Sequence, residues 1–315
     1  MEIRSLNLVA PYQLAWQTEP LAAPETNQIL VRSRTGAISM GTELALYRNT
    51  TRHSRPLQYP LMPGYETVGE VIACGADVTD LAVGDRVVAS YGHRSYARLP
   101  AQRAIRIPPD VPDALALLVI LACETAKGVG KVAVQAHESV LITGAGTIGL
   151  LTLFNLRARE CMRVDVVEPV NARHQLAILL GAQQLKTAAE LADQTTPTYQ
   201  VGFECSSANA AFALLQHVLV PHGRLCVLAD ARRDPLVLTP AFHEKELHII
   251  GSSDGVDYPG YAAWYWPHAR RNSSALEQLF TRSVAFDDLP EAFAELAGQP
   301  VAPVKVLVHY DNRHM

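Results

Sequence analysis

The sequence predicts an α/β protein in two parts: a curled, mostly antiparallel β region, then a doubly wound parallel sheet with helices on both faces. Three observations carry this expectation. Up to about residue 110, short β-type runs alternate with Gly and Pro turns, with no long helical stripe. Beyond Pro112 the rhythm changes to apolar strands separated by helical segments. Between the first two of those strands stands Gly144-Ala-Gly146-Thr-Ile-Gly149.

Each element follows in chain order. Ile29-Leu-Val-Arg-Ser alternates, Thr67 to Gly75 is a β-type run, and Gly84-Asp85 makes a tight turn into Arg86-Val-Val-Ala-Ser. A sheet of this kind must hide its edges, which favours partial closure into a barrel. Asp113 to about Val134 reads as one or two helices, and Ser139-Val-Leu-Ile-Thr as a short buried strand. A helix is expected from about Ile148 to Arg159, and strands at Arg163–Glu168, Gln200–Glu204, Arg224–Ala229 and Leu247–Gly251. Helical segments at 171–181, 207–219 and 240–245 separate them. In the tail, a helix around Pro290–Leu296 precedes a strand, Val304-Lys-Val-Leu-Val, which can rejoin the first sheet. The expected division is 1–120, 121–265 and 266–315, the last segment returning to the first domain.

Composition narrows the class. Of 315 residues, 49 % are hydrophobic and 18 % charged, enough for a sizeable core and unlike a disordered chain. A net charge of -4 without a Lys/Arg run offers no nucleic-acid surface. The five cysteines, Cys74, Cys123, Cys161, Cys205 and Cys226, form no CxxC pair and fit reduced thiols of a cytoplasmic protein. The N-terminus lacks the basic and apolar regions of a signal peptide, and the apolar stretch near Ala114–Ala122 is too short to span a bilayer.

The GxGxxG run gains weight from its setting. It follows a predicted strand, opens a predicted helix, and the next strand ends in Glu168, 19 residues beyond Gly149. In a dinucleotide site Gly144 makes the tight turn, Gly146 admits the pyrophosphate, and Gly149 lets helix and strand pack closely. The amides at Thr147 and Ile148 and the positive helix end favour a diphosphate. Glu168 suits the two hydroxyls of an adenosine ribose and repels a 2′-phosphate, so NAD(H) is preferred. Arg173, five residues on, keeps NADP(H) as the alternative.

A family resemblance emerges from Gly64-Tyr65-Glu66, Gly69, Gly75, Val78 and Val83-Gly84-Asp85-Arg86-Val87. Joined to the glycine fingerprint, this pattern resembles the medium-chain dehydrogenase/reductase family. The resemblance implies a GroES-like, mostly β, partly barrel-like catalytic domain, a Rossmann domain, a cofactor in the cleft, and usually a homodimer. The stretches Ala37–Glu43 and Tyr59–Glu66 look closest to a zinc-less branch that includes the bacteriochlorophyllide hydroxyethyl dehydrogenases. Where zinc relatives carry Cys, His and Cys ligands, this chain has Ser39 or Met40, Tyr65, and a position near Leu121. Cys123 falls about two residues out of place. The four-cysteine structural lobe is missing between Val87 and Tyr96. No spacing of His53, His93, Glu66 and Cys123 argues for a metal site, so no zinc is expected.

Without a Lewis acid, hydrogen-bond donors must stabilise the reacting oxygen. Tyr65 occupies the lost histidine's position and is the first candidate; the alternative is a wall tyrosine bonded to backbone. Thr42 matches the family's proton-passing Ser/Thr, or else caps the helix that follows it. Glu66 either orients Tyr65 or meets an arginine in a structural role. His93 and His53 can exchange protons near neutral pH, though solvated loops are the commoner setting. Glu124 and Thr125 open the helix expected near the nicotinamide, Thr125 as a cofactor contact. Glu43, His53, Glu124, Tyr261, Trp264 and Trp266 are candidates for the substrate pocket. The aromatic run Tyr258–Trp266 offers a flat apolar wall, or equally a helix packed into a core or interface.

The sequence therefore predicts a zinc-independent NAD(H)-dependent oxidoreductase that interconverts an apolar alcohol, ring-bearing if the aromatic run lines the site, and its ketone or aldehyde. An enone or quinone reductase and a non-catalytic dinucleotide-binding scaffold are the alternatives. A small molecule is the expected ligand, with neither nucleic acid nor membrane as partner.

Overall fold

The N-terminal ribbon pairs β1 (Glu2–Ala10) antiparallel with β2 (Gln13–Pro20). In β3 (Gln28–Ser39), Ile29 and Val31 enter one core with Val71, Val87 and Leu99, while Leu30 faces Ile3 and Tyr96 on the other side. That period-two division fixes the register, since a one-residue slip would expose every one of them. The whole of β3 serves as the hub. It pairs antiparallel with β4 (Thr67–Cys74), and β4 with β5 (Arg86–Ala89). The first half of β3 also pairs with β6 (Tyr96–Pro100), and β7 (Ile105–Arg106) closes the edge beyond β5. This computed structural model describes residues 2–50, 56–229 and 234–310. The chain divides into two compact units, one of residues 1–120, 262–270 and 280–315, the other of 121–261 and 271–279.

The second unit is a six-stranded, wholly parallel sheet. Its strands are β8 (Ser139–Thr143), β9 (Arg163–Val167), β10 (Gln184–Lys186), β11 (Tyr199–Glu204), β12 (Leu219–Val227) and β13 (His248–Gly251). They lie in the order β10-β9-β8-β11-β12-β13. Val140, Leu141 and Ile142 are fully buried, the mark of a strand covered on both faces. The helix Thr147–Arg157 is buried from Gly149 through Leu156, so nearly its whole circumference is core. The strand order reverses between β8 and β11, where Thr143 pairs with both Val167 and Glu204. Ligands of open parallel sheets bind outside the carboxyl ends at such a reversal.

The tail returns to the first unit. β14 (Phe280–Ala285) runs parallel to β15 (Lys305–His309), and β15 pairs antiparallel with β3, Lys305 opposite Ser39. The helix Leu289–Gly298 sends Leu289, Phe293 and Leu296 into a core shared with Leu6, Leu8, Ile38 and Val306. The architecture is the expected one: a Rossmann-type parallel sheet plus a curled, largely β domain. The differences are local. The ribbon β1–β2 and strands β10 and β14 were not anticipated, and the expected helix 171–181 is only His174–Leu179 after a single 3-10 turn. Among the described residues, no helix is long and apolar enough to cross a membrane.

Candidate functional site

The glycine turn is built as its spacing predicts. Gly144 takes φ +94°, a conformation that favours glycine, and its N–H donates to Val167 O at 2.8 Å. A Cβ on Gly149 would stand 1.8 Å from Gly144 O, so only glycine lets the helix meet the turn this closely. At Gly146 the reverse holds: nothing lies within 4 Å of where a Cβ would stand, and the space above the backbone is open. The first amides of a helix have no acceptor within it, and Gly146, Thr147 and Ile148 all keep partial exposure. The Glu168 carboxylate reaches back to this turn. It accepts Ala145 N–H at 2.6 Å and Val170 N–H at 2.8 Å, and Arg173 lies 3.7 Å from it. His174 Nε2 donates to Glu168 O at 2.7 Å. Each carboxylate oxygen retains a second lone pair for a further donor.

The first unit gathers a separate cluster. Tyr65 stands just before β4, and its hydroxyl donates to Ser39 Oγ at 2.5 Å, with the Thr42 hydroxyl beside it. Burial, then the charges of Glu66 and Glu43, hold the Tyr65 phenol well above its ordinary range, so it stays protonated at neutral pH. Behind this hydroxyl trio lie two solvent-excluded pairs. Glu43 Oε2 accepts from His93 Nε2 at 2.9 Å, and Glu43 Oε1 accepts Ser39 N–H at 2.8 Å. Lys305 donates to Glu66 Oε2, both residues being fully buried, while Glu66 Oε1 has no hydrogen-bond partner. Burial pushes the Glu66 carboxyl up, against the pull of Lys305.

Comparison with known proteins accords with this architecture. Residues 25–109 match the alcohol dehydrogenase GroES-like domain. An L-threonine 3-dehydrogenase of Edwardsiella ictaluri is 26 % identical, with 92 % of this chain and 95 % of that one aligned. Its counterpart in Pectobacterium carotovorum is 28 % identical over 99 % and 100 %. The 2R,3R-butanediol dehydrogenase of Bacillus subtilis matches with TM-score 0.82 at 20 % identity, covering 98 % of this chain and 100 % of the other. An alcohol dehydrogenase (rspB) of E. coli CFT073, solved with cofactor NADH, gives 0.83 at 20 % over 98 % and 99 %. The chain has the medium-chain dehydrogenase/reductase fold.

Within that fold the expected site residues have these surroundings. His93 is no solvated loop residue: it is fully buried, as are Glu43 and Glu66. Glu66 meets Lys305 and not an arginine. Thr42 does not cap its helix, because Gly41 holds that position without a side-chain bond. Thr125 is sealed in the second unit. Its hydroxyl donates to Ala122 O and accepts from Asn155. Trp266 is 6 % exposed and packs edge-on against Tyr265, whose hydroxyl donates to Leu115 O, the packed-helix alternative of the sequence reading. Tyr261 donates to Asn155 Oδ1, and Trp264 stacks on His268. Glu124 keeps partial exposure. His53 lies outside the described residues.

Among the described residues no group of three or more His, Cys, Asp or Glu could hold a metal ion. Cys123 bonds Val256 O, and burial pushes its thiol up to about 11, far from a thiolate at neutral pH. Sequence reasoning missed Ser39 as a bonding partner, and it missed Lys305. A lysine within the apolar run Val304–Val308 was the available signal, since a strand returning to a buried sheet needs a carboxylate beside such a cation.

Proposed function

We propose that this chain is an NAD(H)-dependent oxidoreductase that interconverts an alcohol and its ketone or aldehyde through side-chain hydroxyls, without zinc. The observation that carries the reading is the Tyr65–Ser39 hydrogen bond, with Thr42 beside it, where the family resemblance puts a metal ligand at Tyr65 and a proton-passing hydroxyl at Thr42. Open space over Gly146, the amides that open the helix at Thr147, and the Glu168 carboxylate would hold the dinucleotide. When bound, it supplies or accepts the hydride. NADH in the E. coli neighbour supports this cofactor, and Glu168 favours NAD(H) over NADP(H).

In the reducing direction, Tyr65 turns its proton from Ser39 toward the carbonyl oxygen and leaves it there as negative charge develops. Ser39 and Thr42 steady the phenolate by hydrogen bonding, and Thr42, partly exposed, relays a proton to it from solvent. In oxidation the alcohol proton passes to the Tyr65 oxygen by the reverse path. L-threonine and 2R,3R-butanediol, named in the relatives, are both alcohols, which supports this class over enone reduction. An apolar substrate, of the ring-bearing kind handled by the zinc-less branch, is the narrower form of the proposal. Burial of Trp266 removes one of its supports. Replacing Tyr65 by Phe should lower kcat at least about tenfold with little change in NADH affinity. An unchanged kcat would remove Tyr65 from the mechanism.

We also propose a homodimer through the parallel sheet. β13 ends the strand order, and Leu236, Val237 and Leu238, in the segment between β12 and β13, are 40 %, 62 % and 52 % exposed in one continuous run.

A further inference from the structure

We propose that Glu43 and His93 form a positioning pair that holds the Tyr65 and Ser39 hydroxyls in register for proton transfer, an inference that rests on Tyr65 as proton carrier. The two residues grip the two backbones that carry the Tyr65–Ser39 hydrogen bond. Glu43, in the first turn of the helix Thr42–Tyr47, reaches back four residues to accept Ser39 N–H at 2.8 Å. On the other side, His93 lies flat against the residue preceding Tyr65. A Cβ on Gly64 would stand 2.7 Å from His93 N and 2.9 Å from its ring carbons, and His93 N–H donates to Pro63 O at 2.8 Å. The 2.9 Å bond from His93 Nε2 to Glu43 Oε2 ties these two grips together.

Surroundings fix the pair's chemistry. Nε2 carries the proton given to the carboxylate, and Nδ1 faces the Tyr310 hydroxyl at 3.4 Å. Phe293 closes the apolar side, its ring edge-on to the imidazole at 6.2 Å. Glu66 and Lys305 are the other charged groups of the cluster. For stability alone the arrangement offers little, because well-packed apolar side chains of similar size commonly match a buried polar pair. Its distinctive output is geometric: one rigid unit fixes both ends of a 2.5 Å hydrogen bond.

The test reads Tyr65 directly, on the full chain with tyrosines carbon-13 labelled at the ring carbon bearing the hydroxyl. Tyr65→Phe assigns the resonance, and Ser39→Ala marks where it falls once the hydrogen bond is lost. The double variant Glu43→Leu/His93→Leu, which leaves no buried charge unpaired, should fold and move the Tyr65 resonance to the Ser39→Ala position. Should it not fold, Glu43→Asp, too short to hold both Ser39 and His93, should produce the same movement. His93→Gln, which keeps a donor for Glu43, should restore the wild-type resonance. A wild-type resonance in the folded double variant, or in Glu43→Asp, overturns the proposal. Turnover of acetophenone with NADH separates this from the parent reading: a Tyr65→Phe variant as active as wild type ends the proton-carrier assignment, whatever the spectra say of the pair.

Discussion

Lys305 and Glu66, drawn from β15 and from the residue before β4, form an ion pair from which water is fully excluded. Removing one partner of such a pair leaves a charge that nothing compensates. Lys305→Met should therefore cost about 3–5 kcal/mol in denaturant unfolding. Adding Glu66→Gln should recover part of that loss. If Lys305→Met unfolds like wild type, the pair is not formed.

The same pair gives stability a pH dependence of unusual sign. Burial raises the folded-state Glu66 carboxyl above its ordinary value near 4.5, so between the unfolded and folded values the native chain binds the extra proton. Glu66 thus contributes stability that is fully present below about 4.5 and lost as pH rises through the folded value. Unfolding free energies measured from pH 4 to 8 should fall more steeply with pH in wild type than in Glu66→Gln. Equal slopes would contradict the raised carboxyl.

Two glycines of one turn should fail in different ways. Gly149→Ala forces a Cβ to 1.8 Å from Gly144 O, so it should destabilise the fold by roughly 1–3 kcal/mol. Gly146→Ala meets nothing within 4 Å and should leave the melting temperature unchanged. It should nonetheless weaken NADH binding about tenfold or more, because the added methyl occupies the space where a diphosphate would approach. Titration by NADH fluorescence together with thermal melts separates these effects. Full NADH affinity in Gly146→Ala would move the cofactor elsewhere.

How much of this was legible in the sequence depends on the range of the forces involved. The β8 strand, Ser139–Thr143, has the predicted bounds because a doubly buried strand is an uninterrupted apolar run. Gly144, Gly146 and Gly149 carried their roles in their spacing, since a tight turn is local chemistry. Lys305 and Glu66 lie 239 residues apart, and no pattern along the chain joins them. His93 looked like a loop histidine because its partner, Glu43, is 50 residues upstream and meets it only through folding. Trp266 was ambiguous because helical spacing suits a core face as well as a pocket wall, and packing against Tyr265 decided it.

Glu168 should set the choice of cofactor. Its oxygens already anchor Ala145 and Val170, and a 2′-phosphate brought beside them would be repelled. Glu168→Gln removes the charge while keeping an acceptor, and it releases Arg173 from its neighbour 3.7 Å away. The ratio of NADPH to NADH affinity should rise about tenfold or more, the scale of one charge-assisted hydrogen bond. Adding Arg173→Ala should cancel most of that gain. An unchanged ratio in Glu168→Gln would mean that the carboxylate does not face the adenosine ribose.

The run Leu236-Val237-Leu238 is the place to break the proposed dimer without harming the fold. Val237 and Leu238 are more than half exposed, so the folded chain loses little packing when they become polar. If the dimer buries this run, new charges there would repel across the two-fold axis. Light scattering after gel filtration should give wild type about twice its 34.3 kDa chain mass. Val237→Lys/Leu238→Lys should elute as a monomer with an unchanged melting profile at high protein concentration. A wild-type monomer at micromolar concentration would sink the dimer. A variant that remains dimeric would place the interface on another face.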